Sequence, residues 1–321
     1  MSILSRAYFH DEAAAFEHVE SILWPDGPVC PHCGTINEAT KLNGIRTKPS
    51  RKNPEGVERH GLYKCRSKEC RKQFTVRKGT IFEESHLPMH KWLQAIHLLC
   101  SSKKGFSAHQ LHRVLEVQYK TAWFLAHRIR EAMRGSAFTP FGGGGGDVEV
   151  DETFIGTEPG VEKKGGGVAH KMKVLSLVDR QTKQARSIVI DDLSRSTVWP
   201  LVMENVDKET RILSDQAVVY RGIGREFSGH KSVNHAKGEY VSFTDPVVHT
   251  NTVENYFSVF KRGMKGTYQH CSKKHLHRYL AEFDFRYNRR SAVGIEDGER
   301  AVAALNGVVG KRLTYRGHNQ T

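Results

Sequence analysis

The stretch "DVEVDETFIG", residues 147–156, alternates acid and valine through its first five positions, which is the period of a β-strand. Asp147, Glu149 and Asp151 then share one face, and Val148 and Val150 the other. Like charges in a row on one face repel unless cations bridge them. Two apolar strands follow, "KVLSLVD" (173–179) and "ARSIVIDD" (185–192), then a helix around "STVWPLVMENV" (196–206). Next comes "RILSDQA" (211–217), a strand that is apolar until it meets Asp215. Strands, a helix and then a strand tipped by an acid predict a mixed α/β sheet.

Downstream, "HTNTVENYFSVFKRGMKG" (249–266) turns to helical period, with Val253, Tyr256, Phe257 and Phe260 at i, i+3, i+4 and i+7 as the buried stripe. Glu254 and Lys261 stand seven apart, so they form a second stripe beside it. Two readings of Glu254 are open. It can be the acid of a capping box whose N-cap is Asn251. Alternatively, if the helix packs near the acid-bearing strand ends, Glu254 joins Asp151 and Asp215 in an oxygen-only site. Such a site suits two Mg²⁺ (or Mn²⁺) ions, with Lys261 reaching a phosphate as a point charge.

Upstream lie two cysteine pairs, Cys30 and Cys33 in "CPHCG" and Cys65 and Cys70 in "YKCRSKECRKQF". Two such knuckles complete a tetrahedral site for one structural Zn²⁺, although the 31 residues between them (34–64) are a long insertion. Cys100 and Cys271 are isolated and read as buried small apolar groups. From residue 86 the period is helical, with Trp92, Ile96 and Leu99 recurring. Gly105 breaks it, a second helix carries Leu111, Val114 and Leu115, and a third is "TAWFLAHRIREAMRG" (121–135). With Tyr119, Lys120, Arg128 and Arg130 on the last, this is the plan of a helix-turn-helix, or of a plain three-helix bundle with a solvated basic face. "FGGGGG" (141–146) reads as a flexible linker and a domain boundary. Near the end, "SKKHLHRYLAEFDFRYNRR" (272–290) puts Lys273 and Lys274 on an outer face, either solvated or tracking phosphates.

Composition points the same way. The 321 residues are 38% hydrophobic and 26% charged, which excludes a disordered chain. Lys plus Arg number 49 against 35 Asp plus Glu, a formal charge of +14, so a polyanionic partner is expected, nucleic acid before an anionic membrane surface. No apolar run approaches the ~18 residues of a membrane span, and the N-terminus lacks a secretory signal. A cytoplasmic protein with reduced cysteines is the expectation.

The segments "VEVDETFIG", "VNHAKGEYV", "HTNTVENYFSVFKRG" and "KKHLHRYLAEFDFRYNRR" resemble those of bacterial insertion-sequence transposases, in the subgroup with a zinc ribbon ahead of an RNase H-like catalytic domain. "QFTVRKGTIFEESHLPMHKW" and "SSKKGFSAHQLHRVLEVQYKTAWFLAHRIREAM" are similar to that subgroup too, so the match runs roughly over residues 25–292. The resemblance implies an Asp-Asp-Glu signature followed by Lys, falling on Asp151, Asp215, Glu254 and Lys261. It implies metal-dependent cleavage at transposon ends and transfer of the freed 3′-OH into target DNA. The partners implied are double-stranded DNA, as terminal inverted repeats and target, and further copies of the chain assembled on it. Lys120, Arg128, Arg130, Lys265, Lys273 and Lys274 are the expected DNA contacts. The long ribbon insertion and the pentaglycine depart from the family pattern. The expected layout is an N-terminal helical segment (1–25), a zinc ribbon (26–82), a helix-turn-helix (85–136), a Gly-rich linker (137–146), the catalytic domain (147–292) and a C-terminal tail (293–321). Two other functions compete: a catalytically silent DNA-binding regulator of the same descent, and an RNase H-like nuclease that cuts without joining.

Overall fold

The computed structural model describes residues 2–51, 53–135, 139–158, 160–163, 165 and 167–314, which form two compact units. One takes Met1–Ser101, Ala108–Met133 and Asp297–Thr321; the other takes Ser102–Ser107 and Arg134–Glu296.

In the first unit, helix α1 (Glu12–Leu23) starts at Asp11, whose Oδ1 accepts the Ala14 N–H at 2.7 Å. Strands β1 (Ala39–Lys41), β2 (Tyr63–Cys65) and β3 (Gln73–Phe74) form an antiparallel ribbon. Trp24, Tyr63 and Phe74 pack edge and face around it, and the Tyr63 hydroxyl donates to Glu20 of α1 at 2.8 Å. The insertion between the cysteine pairs is ordered as a hairpin-like excursion, in which Arg46 bridges Glu58 and Thr47 N–H donates to Val57 O.

Helices α2 (Met89–Ser101), α3 (Ala108–Leu115) and α4 (Tyr119–Met133) follow. Trp92, Ile96, Leu99, Leu111 and Leu115 are buried as the pattern required, whereas Val114 is exposed. Two expectations for α4 need correction. Arg128 is buried and donates to the carbonyls of Ile81 (2.8 Å), Glu83 (2.9 Å) and Leu313 (3.1 Å), and Arg130 is only 2% exposed. Arg128 thus fastens interior carbonyls, and neither guanidinium group is exposed as the expected DNA contact would be. The expected C-terminal tail contains a helix. Asp297–Asn306 is a helix that buries Arg300, Ala304 and Leu305 in this unit, with Arg300 donating to Cys100 O at 2.7 Å. Residues 315–321 of the expected tail lie outside the described residues.

The second unit is an RNase H-like layered fold. Its strands are β4 (Asp147–Ile155), β5 (Met172–Asp179), β6 (Ala185–Ile190), β7 (Arg211–Asp215) and β8 (Gly229–Val233), in the order β6-β5-β4-β7-β8. β6, β5 and β4 are antiparallel, and β4, β7 and β8 run parallel. Helix α5 (Arg195–Asn205) makes the crossover from β6 to β7 and buries Val198 and Val202 with Val148, Val150 and Leu177 on one face of the sheet. On the other face, Val174 and Val178 pack against α6 (Asn251–Gly263) and α7 (Lys273–Asn288) through Val253, Tyr256, Phe257, Phe260 and Leu280. All four residues of the stripe read from the sequence of α6 are buried.

The glycine run is not a loose linker. Phe141 is buried, bridges Val206 and exchanges backbone hydrogen bonds with Asn205 and Asp207. Gly142 (φ +74°) donates its N–H to Asp179 at 3.0 Å, and a Cβ there would stand 2.2 Å from Thr210 Oγ1. Gly142 thus permits close packing where the chain enters the central strand β4. Residues 137 and 138 of the expected linker lie outside the described residues.

Candidate active site

The three acids of β4 separate by their partners. Asp147 is held by Arg211 through two contacts of 2.7 Å. Glu149, fully buried, accepts from Arg180 Nε at 2.7 Å. Among the described residues, no base pairs with Asp151. Parallel pairing of β4 with β7 ends at Glu149 opposite Leu213; Asp151 and Asp215 lie two residues beyond that last pair on their strands, and the charge of Asp215 reaches Asp151. Both point to the same face by the alternation along each strand. Asp215 accepts the Ala217 N–H at 2.9 Å and likewise has no basic partner among the described residues.

Glu149 also brings the third acid in. Its Oε2 accepts the N–H groups of Thr252 (2.9 Å) and Val253 (2.8 Å), two of the donors that the start of α6 leaves without intrahelical partners. The N-cap position is Thr250, without a side-chain cap, so the capping box expected from Asn251 does not form. A strand acid does that work instead. Arg180 completes the clamp, donating to His249 O at 2.8 Å. Glu254 follows in the first turn of α6; its Oε1 lies 3.3 Å from His235 Nε2, and its charge reaches Asp151.

The electrostatics follow from this crowding. Burial pushes the Asp151 carboxyl up to about 8, with the charges of Glu152, Asp215 and Glu254 adding to it. Glu152 is pushed up to about 7, again chiefly by burial, while the Tyr220 hydroxyl donating at 2.5 Å opposes the shift. Burial lowers the Lys261 ammonium, and Asp151 and Glu254 pull it back up. Asp151, Asp215 and Glu254 offer hard oxygen donors of the kind that binds divalent cations. The charges of Asp215 and Glu254 reach Asp151, but among the described residues the three carboxylates do not form a group whose ligand atoms all lie within 4.8 Å of one another, as the four cysteines do.

The cysteine site is tighter. The four sulfurs lie within 4.8 Å of one another, with Cys30–Cys70 and Cys33–Cys65 both at 3.7 Å. Tetrahedral zinc at about 2.3 Å from each sulfur requires an edge of about 3.8 Å. The donor set fits structural zinc. Thr35 donates to Cys33 and draws that thiol down to about 6, whereas burial pushes Cys30 up to about 11.

The expected DNA contacts divide. Lys120, Lys265 and Lys274 are exposed, whereas Lys273 is ion-paired with Glu158 and with Asp191 (2.7 Å). The sequence reading missed Glu149, Arg180 and the Glu152–Tyr220 pair. Glu149 was visible as the middle acid of the alternation, but nothing local connects it to residues 252 and 253. Arg180 carried no signal at all, since its role depends on β4–β5 pairing.

Comparison with known proteins accords with this arrangement. Residues 144–288 match the ISXO2-like transposase domain, and residues 10–73 match the transposase zinc-ribbon domain. A protein in transposable element ISH50 of Halobacterium salinarum is 26% identical over 297 residues, which cover 87% of this chain and 91% of the relative. No helix among the described residues is long and apolar enough to cross a membrane. With both domains matched in order along one polypeptide, the chain belongs to the family of insertion-sequence transposases that join a zinc ribbon to an ISXO2-like domain of RNase H-like fold.

Proposed function

We propose that the protein is a metal-dependent DNA transposase that cleaves at the ends of its element and joins the freed 3′-OH to target DNA. What supports this reading is that Asp151 and Asp215, on the adjacent parallel strands β4 and β7, have no basic partners among the described residues, and that the charges of Asp215 and Glu254 reach Asp151. Asp151, Asp215 and Glu254 would hold two Mg²⁺ (or Mn²⁺) ions. When bound, such ions supply charge neutralisation at the phosphodiester and a lowered pKa for the attacking hydroxyl.

The protein's own groups do the rest. Lys261 binds a phosphate oxygen as a point charge. Glu149 and Arg180 keep Glu254 in place. Cleavage joins a water oxygen to phosphorus and releases the 3′-oxygen as a hydroxyl; in transfer, that hydroxyl attacks a target phosphodiester and a target 3′-oxygen leaves. Neither step needs a covalent protein–DNA intermediate, and no nucleophilic Tyr or Ser is assigned. The zinc ribbon and exposed lysines such as Lys120, Lys265 and Lys274 serve to bind DNA. Because ends are joined in pairs, two or more copies act together on the DNA, in the cytoplasm where the element resides.

The test is strand cleavage of terminal-repeat DNA with Mg²⁺, for the wild type and Asp215→Ala. Cleavage and strand-transfer product from the wild type alone are expected. Tight binding with both proteins inert establishes the silent regulator instead, and cleavage without joined product establishes the nuclease.

A further inference from the structure

A cavity of about 490 Å³ opens beside Lys261 in the second unit. Its apolar wall comes from Ile155, Met172 and Met264, all buried. Three lysines line it, Lys171, Lys261 and Lys265, and no acid does. None of the three makes an ion pair among the described residues, and Lys171 and Lys265 together depress the Lys261 ammonium beyond what burial does. The wall also contains a widened turn. Met264–Tyr268 is a π-helix closed by Gln269 N–H to Met264 O at 2.8 Å, and Gln269, at φ +59°, lines the cavity. Such turns are uncommon and cluster at functional sites. This one is pinned by Tyr268, whose hydroxyl accepts the Phe106 N–H at 3.2 Å and donates to Glu282.

The shape and chemistry select a ligand class. A duplex is excluded, since a volume of this size is a space roughly 8 Å across, whereas the major groove of B-DNA alone is about 12 Å wide. A free inorganic anion has no use for the apolar wall, and an apolar ligand has none for three ammonium groups in a lining that contains no acid. A single nucleotide matches both: a phosphate for the lysines, a flat base for the Met and Ile side chains, and polar edges for Thr157 and Gln269. We propose that this cavity receives one unstacked nucleotide of a DNA strand, its phosphate between Lys171 and Lys265 and its base against Ile155 and Met264. The inference rests on the reading of DNA as substrate and adds to it a subsite for an extruded or unpaired nucleotide, so that strand separation near the cleavage point is part of binding.

Cys271 provides a readout that needs neither metal nor cleavage. It lines the cavity and is partly exposed, whereas Cys100 is buried and the other four cysteines share the zinc site. Alkylation of Cys271 in the full chain by N-ethylmaleimide is followed by mass spectrometry with a deoxynucleoside 5′-monophosphate, the deoxynucleoside, inorganic phosphate or a single-stranded oligodeoxynucleotide present. The monophosphate and the oligonucleotide slow alkylation by about fivefold once they exceed their dissociation constant several times over. The nucleoside and inorganic phosphate do so far less, and Lys171→Ala/Lys265→Ala abolishes the protection. Equal protection by inorganic phosphate reduces the cavity to an anion patch and overturns the proposal, as does no protection by any nucleotide probe. Protection in a chain that never cleaves DNA leaves the subsite standing while the transposase reading falls; cleavage without protection does the reverse.

Discussion

Glu149 Oε2 holds the N–H of Val253 at 2.8 Å, so a fully buried acid on a central strand fixes the helix turn that carries Glu254. The same carboxylate neutralises Arg180.

Glu149→Gln keeps the shape but leaves the Arg180 guanidinium facing a neutral amide. Loss of a buried pair of this kind costs about 3 kcal/mol, which lowers the melting temperature by roughly 5–10 °C in a unit of this size. Cleavage by the variant needs several-fold more Mg²⁺ for half-maximal rate, because Glu254 is no longer held. A Mg²⁺ titration at a temperature where both proteins are folded decides the matter: an unchanged midpoint means that Glu149 is structural only.

Asp151→Asn abolishes cleavage and stabilises the protein when divalent cations are chelated. The folded carboxyl titrates near 8 against an ordinary value near 4. Between those values the native state keeps a proton that the unfolded chain has lost, so stability falls as pH rises through this window. The full cost is present above pH 8. At that pH the substitution raises the melting temperature by roughly 10 °C, on the order of 5 kcal/mol. Mg²⁺ raises it further only in the wild type. Equal melting of both proteins in chelator at every pH from 5 to 9 would contradict the electrostatic account.

Zinc removal unfolds the ribbon. The hydrophobic cluster there is Cys30, Tyr63, Cys65 and Phe74 with Trp24, Ala39 and Cys70 at its edge, too small to hold three short strands unaided. One zinc per chain is released on thiol modification, and trypsin then cuts at Lys64 and Arg66. Resistance at both bonds after the metal has gone would show that the strands stand on packing alone.

Lys261→Ala weakens DNA binding alike for all sequences and lowers the slope of log affinity against log salt by about one. Lys261→Arg restores the slope but not the full cleavage rate, since a forked guanidinium replaces a point charge. A slope unchanged in Lys261→Ala places the lysine off the phosphate path.

Much of this was legible in the chain itself. The alternation at 147–151, the apolar run ending at Asp215 and the stripe of α6 are local periodicities, and local periodicity survives folding. What escaped is long-range. Three acids on one strand face look equivalent until Arg211 of β7 and Arg180, in the turn after β5, claim two of them and leave Asp151. Arg128 and Arg130 looked like DNA contacts because charge predicts exposure, and only the packing of residues 81–83 and 313 around α4 shows Arg128 spent on carbonyls. The pentaglycine looked slack because its partners, Thr210 and Asp179, lie far along the chain.

The helix at 297–306 belongs with residues that precede the glycine run, so all the strands and helices of the sheet unit are spelled out within a gap in the other. During synthesis, the sheet and its acids can therefore complete before the earlier-made helical bundle receives its closing piece. A nascent chain halted near residue 290 would carry a finished nuclease fold beside an unsealed one.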